Sequence, residues 1–457
     1  MGFLDENYLL ETDTAKNLYS QVENLPILDA HNHGDVEEII LNEGWSDIWE
    51  VEGATDHYVW EMMRRRGIKE EKITGSASNR EKWLSLAKIF PELAGNPTFE
   101  WIHLDLKRRF GIEKEISEQT AEYIWGKTQK LLQSEKMTPQ NLLQEMKVEV
   151  MCTTDNPDSL LTFHKKAQQE LSEIKILPTW RPDRAMNIGH IDWNDFVDKL
   201  GAAYDEEITN FNQFKNILEK SHDFFDEMGC TASDHGVKEP SVYPVSRDRV
   251  SEIFNSRRNK KELSDKEISD FKSYMMMFFG ELNEKTDWVT QLHIGAVRDY
   301  RDHLYDLLGP DSGGDVATNA LEIVDNMRYF FNKFDGSIPV VLYYLDPVLA
   351  PAAATIARAF PNISLGAPWW FIDSHHGIEQ QLKFVATVDL LSNHAGMVTD
   401  SRKLMSYDSR TEVFRRTACN VLGEMVEKGQ IPFEAASDLA YRLSYKNPYE
   451  LYFKDSV

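Results

Sequence analysis

The sequence predicts a single (β/α)8 barrel spanning residues 1–457, with a large, mostly helical insertion after its first strand. Three observations carry this expectation. Short apolar runs rich in Val, Ile and Leu, each ending in polar residues, occur eight times along the 457-residue chain. Segments with helical periodicity separate most of them. Residues 34–147 leave a gap between the first two runs that is far too long for one crossover helix.

The runs are Ile27–His31, Val148–Thr153, Ile174–Thr179, Cys230–Asp234, Trp288–His293, Val340–Leu345, Ile363–Ala367 and Gly396–Asp400. They lack polar alternation, as strands do when both faces of a parallel sheet are covered. In the insertion, Ser78 to Glu81 reads as a capping box leading into Trp83, Leu84, Ala87 and Phe90 at helical spacing. Thr138-Pro139 reads as an N-cap with proline at the first helical position. Trp45, Trp49, Trp60 and Trp101 supply further apolar bulk there. Asn255–Glu267 reads as a solvated loop and helix start, and Met275–Met277 as packing. Leu321–Phe334 places Ile323, Met327, Phe330 and Phe334 on one helical face. Ser409 to Glu412 reads as another capping box, followed by Phe414, Ala418, Val421, Leu422 and Met425, with Gly429 as the C-terminal glycine.

Chemistry in such a barrel collects at the C-terminal ends of the strands. Those ends here carry His31 and His33; Thr153, Thr154 and Asp155; Arg181 and Arg184; Asp234 and His235; His293; Asp346; Trp369 and Trp370; and Asp400 and Arg402. Side chains two apart on a strand face the same side. His31 and His33 can therefore share one divalent cation, with a carboxylate from another strand completing the protein ligands. Asp400 is the candidate, because the last strand closes the barrel beside the first. A bare His-x-His arises often by chance; Asp29 two residues upstream and the strand-end position strengthen it. His293 is alternatively a core histidine, Arg181 a structural ion pair, and the Trp369-Trp370 pair core packing.

A net charge of -25 excludes a basic nucleic-acid footprint. An anionic substrate would need positive charge placed locally against that background. No apolar stretch approaches a membrane span. Three scattered cysteines, Cys152, Cys230 and Cys419, match no zinc-knuckle spacing and fit a reducing compartment. With no secretory-type leader in MGFLDENYLL, a cytoplasmic location is expected. A homo-oligomer is expected too, since net acidity does not exclude a locally apolar interface.

Several long segments, taken in order, resemble the uronate isomerase (glucuronate isomerase) family, a divergent branch of the amidohydrolase superfamily. They are DAHNH, ITGSASNREKW, GNPTFEWIHLDLKRRFGI, CTTDNP, LPTWRPDRAMNI, GCTASDHG, WVTQLHIGAVRD, PWWF and GMVTDSR. The resemblance implies a (β/α)8 barrel interconverting D-glucuronate with D-fructuronate and D-galacturonate with D-tagaturonate, through an enediol(ate). It implies one divalent metal, expected to be zinc, on His31, His33 and Asp400. It further implies a His57-Tyr58 pair from ATDHYVW in the insertion, Arg181 as a substrate-binding arginine, and Arg402 beside the metal aspartate. His293, Trp369 and Trp370 are expected to line the small-molecule uronate. For the base that acts at C2, Asp400 and Tyr58 are both open. The chain departs from the family at WWFID, where Ile372 replaces an asparagine, and in the following SHHG with His375 and His376. Ser233-Asp234 in place of a strand-four lysine argues against a two-metal centre.

Overall fold

In the computed structural model, which describes residues 2–134, 137–318 and 321–454, the apolar runs form a curled parallel sheet. Its strands are β1 (Ile27–Asp29), β2 (Val148–Asp155), β3 (Lys175–Trp180), β4 (Ala232–Val237) and β5 (Val289–Ile294), then β8 (Val340–Tyr344) and β9 (Ile363–Leu365). They pair in the order β1-β2-β3-β4-β5-β8-β9. The two strands skipped, β6 (Ala296–Val297) and β7 (Val316–Ala317), make a separate antiparallel pair in the excursion after β5. Two strands of two residues each are too short to leave a periodic signal.

The expected eighth strand is a correction. Residues 396–400 close the barrel without forming a regular strand. On one side the Ala395 amide donates to the Leu365 carbonyl at 2.8 Å; on the other, Asp400 N–H donates to the His31 carbonyl at 3.1 Å. Asp29 fixes the register by accepting from Thr399 N at 2.9 Å and Thr399 Oγ1 at 2.5 Å. Gly396 at φ 89° and Asp400 at φ 48° interrupt the extended backbone, so no ladder propagates. A left-handed aspartate is a strained conformation of the sort that concentrates at functional sites.

Apolar residues on both faces explain the layers. Val341 and Tyr343 of β8 join Leu28, Val150, Cys152 and Val289 inside the barrel, while Val340, Leu342 and Tyr344 join the outer cluster under the helices. Tyr452 and Phe453, from the C-terminal turn, also enter the interior cluster. Between β1 and β2 run the helices Val36–Leu41, Ile48–Glu52, His57–Arg65, Asn79–Ile89, Pro97–Phe110, Ala121–Leu132 and Pro139–Glu145. Most of them pack around a core of their own that includes Trp49 and Trp83.

The capping box at Ser78 and Glu81 has both of its hydrogen bonds, and Pro139 opens its helix after Thr138, whose side chain makes no cap bond. Ser409–Glu412 is not a helix start. It lies inside Tyr407–Glu427, where Ser409 Oγ donates back to the Ser406 carbonyl and Glu412 pairs with Arg108 and Arg416. Asn255–Glu267 is mostly helix ends: Arg247–Arg258 finishes there, and a full capping box at Ser264 and Glu267 starts Asp265–Thr286. Likewise SHHG is a helical first turn, because Ser374 caps His375–Val388. Ile372 packs against the outer apolar core. Cys152, Cys230 and Cys419 are free and buried. Among the described residues, no helix is long and apolar enough to cross a membrane.

Candidate functional site

His31 stands two residues beyond the end of β1, and its backbone carbonyl is tied to Asp400 N–H, so the two groups meet. His31 Nε2 and His33 Nε2 each lie 3.2 Å from Asp400 Oδ1. Donor separations of roughly 3.3 Å are those of a tetrahedral ion bound at about 2.0 Å. The outer contacts fit the same use. Thr154 Oγ1, from the end of β2, lies 2.6 Å from His33 Nδ1. Trp369 Nε1 donates to Asp400 Oδ2 at 2.9 Å. These contacts fix the ring and the carboxylate, as partners behind a metal site do. Burial alone would push the Asp400 carboxyl up, but the two imidazoles outweigh it and hold it well below the usual carboxylate range.

A second buried carboxylate, Asp234 at the middle of β4, organises the floor. His293 Nδ1 sits 2.6 Å from Asp234 Oδ1, Arg181 Nε sits 3.3 Å from Oδ2, and His31 Nδ1 lies 3.9 Å from Oδ1. Burial opposes its charge, yet the Arg181 guanidinium and the histidines keep Asp234 well below its ordinary value. His293 stacks flat on Tyr343, with ring centroids 4.4 Å apart and 3° between planes. Gly366 makes that possible, since a Cβ there would sit 2.0 Å from the Tyr343 ring. Arg181 follows β3; its recorded bonds to Asp183, at 3.1 Å, and to Asp234 both go through Nε. Gly236 leaves room for it, because a Cβ there would lie 3.0 Å from Arg181 Nη2.

The insertion supplies the facing wall. Asp56 caps the helix His57–Arg65 by accepting from Tyr58 N at 2.9 Å. This turns the rings of His57 and Tyr58 inward, stacked at 4.6 Å. Among the described residues, neither nitrogen of His57 nor the Tyr58 hydroxyl has a hydrogen-bond partner, although all three atoms are buried. Burial, reinforced by the nearby Arg402 charge, lowers His57 to about 4, and burial pushes the Tyr58 phenol well up. At ordinary pH the first is therefore neutral and the second protonated. Trp370 meets His57 edge-on at 5.7 Å, and the Arg298 guanidinium lies over the Trp370 ring, 4.4 Å from its centroid. Arg402 makes a loose pair with Asp311 at 3.8 Å, and its Nε has no partner among the described residues.

A family model described as glucuronate isomerase matches residues 1–453. The chain belongs to the glucuronate isomerase family. Uronate isomerase from Thermotoga sp. strain RQ2 is 57% identical over 452 residues, covering 99% of this chain and 100% of that protein. The crystal structure of uronate isomerase from Thermotoga maritima superposes with a TM-score of 0.98 at 57% identity, over 99% of this chain and 100% of that one. Glucuronate isomerase from Caulobacter crescentus, at 23% identity, shares the fold alone, with a TM-score of 0.95 over 99% and 98% of the two chains. Membership makes the chain an enzyme, and an isomerase.

In this glucuronate isomerase fold the strand-end residues divide. His31, His33, Asp400, Arg181, His293, Trp369 and Asp234 form one connected cluster. His57 and Tyr58 both lie within the reach of Asp400's charge. Arg184 turns away to Asp192 and Phe196, and His235 turns outward against Phe279. Asp346 caps the turn Pro347–Leu349. Thr153 and Asp155 bond His164 behind the site. The roles of Asp234 and Thr154 as anchors were not legible from the sequence, although their places at strand ends were.

Proposed function

We propose that this isomerase interconverts D-glucuronate with D-fructuronate and D-galacturonate with D-tagaturonate, at a site holding one divalent cation, expected to be zinc. One observation carries the reading. A three-donor set that fits a metal ion shares one barrel mouth with a guanidinium anchored through Nε to Asp183 and Asp234. The first suits a polarised sugar carbonyl and the second a carboxylate at the other end of the same small molecule.

His31, His33 and Asp400 would hold the cation, which when bound supplies Lewis-acid polarisation of the sugar oxygens. Arg181 offers its terminal nitrogens to the uronate carboxylate in two-point fashion. His293, fixed by Asp234, and Trp369 line the chain of hydroxyls, with Trp370 and neutral His57 facing them. Isomerisation moves a proton from C2 to C1, and the difficult step is removal of a proton beside a carbonyl. Asp400, held ionised, takes the C2 proton and returns it at C1. Tyr58, held protonated, gives its proton to the developing oxyanion and recovers it from the neighbouring hydroxyl. Arg402 adds positive charge beside that oxygen.

Steady-state rates on both uronates, together with an ester, lactone and amide panel, test this. Formation of the 2-keto acid from a uronate is the expected result. Hydrolysis of the panel without uronate turnover, or uronate binding without chemical change, would overturn it.

A further inference from the structure

One charged cluster lies behind the site without touching it. The Lys403 ammonium is buried, 2.6 Å from Glu52 Oε2, 3.5 Å from Asp56 Oδ2 and 3.9 Å from Asp105 Oδ2. Its partners come from the ends or interiors of separate insertion helices. Glu52 ends Ile48–Glu52, Asp56 caps His57–Arg65, and Asp105 belongs to Pro97–Phe110. Lys403 itself follows Arg402 directly and stands three residues after Asp400.

Lys403 thus ties the two walls of the site together, beside Arg410, which lies over the Tyr58 and Trp101 rings and donates to the Thr399 carbonyl at 2.8 Å. On the insertion side, Asp56 holds the Tyr58 backbone N–H. The helix bearing Asp105 also carries Trp101, which packs edge-on against the Tyr58 ring at 5.7 Å. On the barrel side, the backbone of Lys403 is held by Ser401 Oγ, donating to the Lys403 carbonyl at 2.9 Å. A buried ion cluster is not by itself a source of stability, because desolvation offsets the attraction. Its geometric effect is a link: Lys403, on the segment that follows Asp400, pairs with Asp56, the cap of the helix that bears Tyr58.

We propose that Lys403 is a positioning residue for the isomerisation, holding the helix that bears His57 and Tyr58 in register with the segment that bears Asp400 and Arg402. This rests on the functional reading above. A displacement of about 1 Å between reacting groups can cost on the order of 100-fold in rate.

The test is kcat and KM on D-glucuronate for K403M, Y58F and the double variant, with Tm and metal content measured on each. K403M is expected to lose about 30-fold or more in kcat with KM within about threefold, and to keep its metal. In the Y58F background the same change is expected to cost less than about threefold, because the group it places is already disabled. A purely structural lysine would lower Tm while its effect on kcat stayed the same in both backgrounds. Should K403M fail to fold, D56N replaces it, since asparagine preserves the helix cap while removing the charge. It is expected to lose about fivefold in kcat, again only when Tyr58 is present. Wild-type kcat in folded K403M or D56N, or a loss that multiplies fully with Y58F, overturns the inference alone. A wild-type protein inactive on uronates overturns the functional reading and this inference with it.

Discussion

Arg181→Lys is the substitution that most sharply separates a carboxylate-binding arginine from a structural ion pair. In the structure the guanidinium is anchored through Nε to Asp183 and Asp234, and those two carboxylates, Asp234 foremost, raise its pKa further despite burial. If both terminal nitrogens bind the uronate carboxylate, each charge-assisted bond contributes about 1.5–3 kcal/mol. Lysine, a point donor, recovers one of them. The net loss of about 1.5–3 kcal/mol corresponds to roughly 10- to 200-fold in kcat/KM. Most of it should appear in KM, because the carboxylate is bound alike in the ground and transition states. A smaller fall in kcat is expected as Asp234 loses its Nε partner while still holding His293. Initial rates on D-glucuronate, beside D-glucuronamide, read this directly. The neutral amide should turn over poorly and be nearly indifferent to the substitution. A folded R181K whose kcat/KM on the acid stays within about threefold of wild type would refute the assignment.

Other expectations concern the groups around the site. Gly236→Ala places a methyl 3.0 Å from Arg181 Nη2 and 2.9 Å from Asp183 Oδ2, so it should raise KM for uronates while leaving metal content unchanged; an unchanged KM would contradict the close approach. Thr154→Val removes the 2.6 Å partner of His33 Nδ1 and should weaken metal binding about 10- to 100-fold, measured by chelator competition. Burial, helped by the nearby Asp373 charge, raises the Glu100 carboxyl from 4.5 to about 7. The folded state therefore binds this proton more tightly than the unfolded chain. Its stabilising contribution is complete below pH 4.5 and is lost as pH rises through 7. Between pH 5 and 8 the unfolding free energy of wild type, read from denaturant curves, should fall more than that of Glu100→Gln, by about 2 kcal/mol, and parallel pH profiles would contradict the shift.

Much of the barrel was legible because its strands are apolar on both faces. The inward Val341 and Tyr343 and the outward Val340 and Leu342 give β8 an unbroken hydrophobic run. Its boundaries and those of its neighbours then fall within a few residues of expectation. The closing segment was harder. Its composition suits a strand, but left-handed Gly396 and Asp400 prevent the ladder, and backbone dihedrals of that kind leave no periodic trace. Ser409 misled for a related reason: the same Ser-x-x-Glu pattern occurs inside a helix when the serine bonds backward to Ser406. The candidate metal donors stood out because His31 and His33 follow strand spacing. Asp234, Thr154 and Lys403 make their contacts with residues far apart in sequence, and single residues of that kind carry no local signature.

Proton NMR of the purified protein with D-glucuronate in D2O, recorded before and after metal chelation and again after zinc is restored, tests the proposed isomerisation most directly. The 2-keto acid is expected to appear, chelation to remove turnover and zinc to return it, with the label at C1 reporting how far the proton carried by Asp400 exchanges with solvent. A folded, zinc-loaded protein that leaves both D-glucuronate and D-galacturonate unchanged would contradict it.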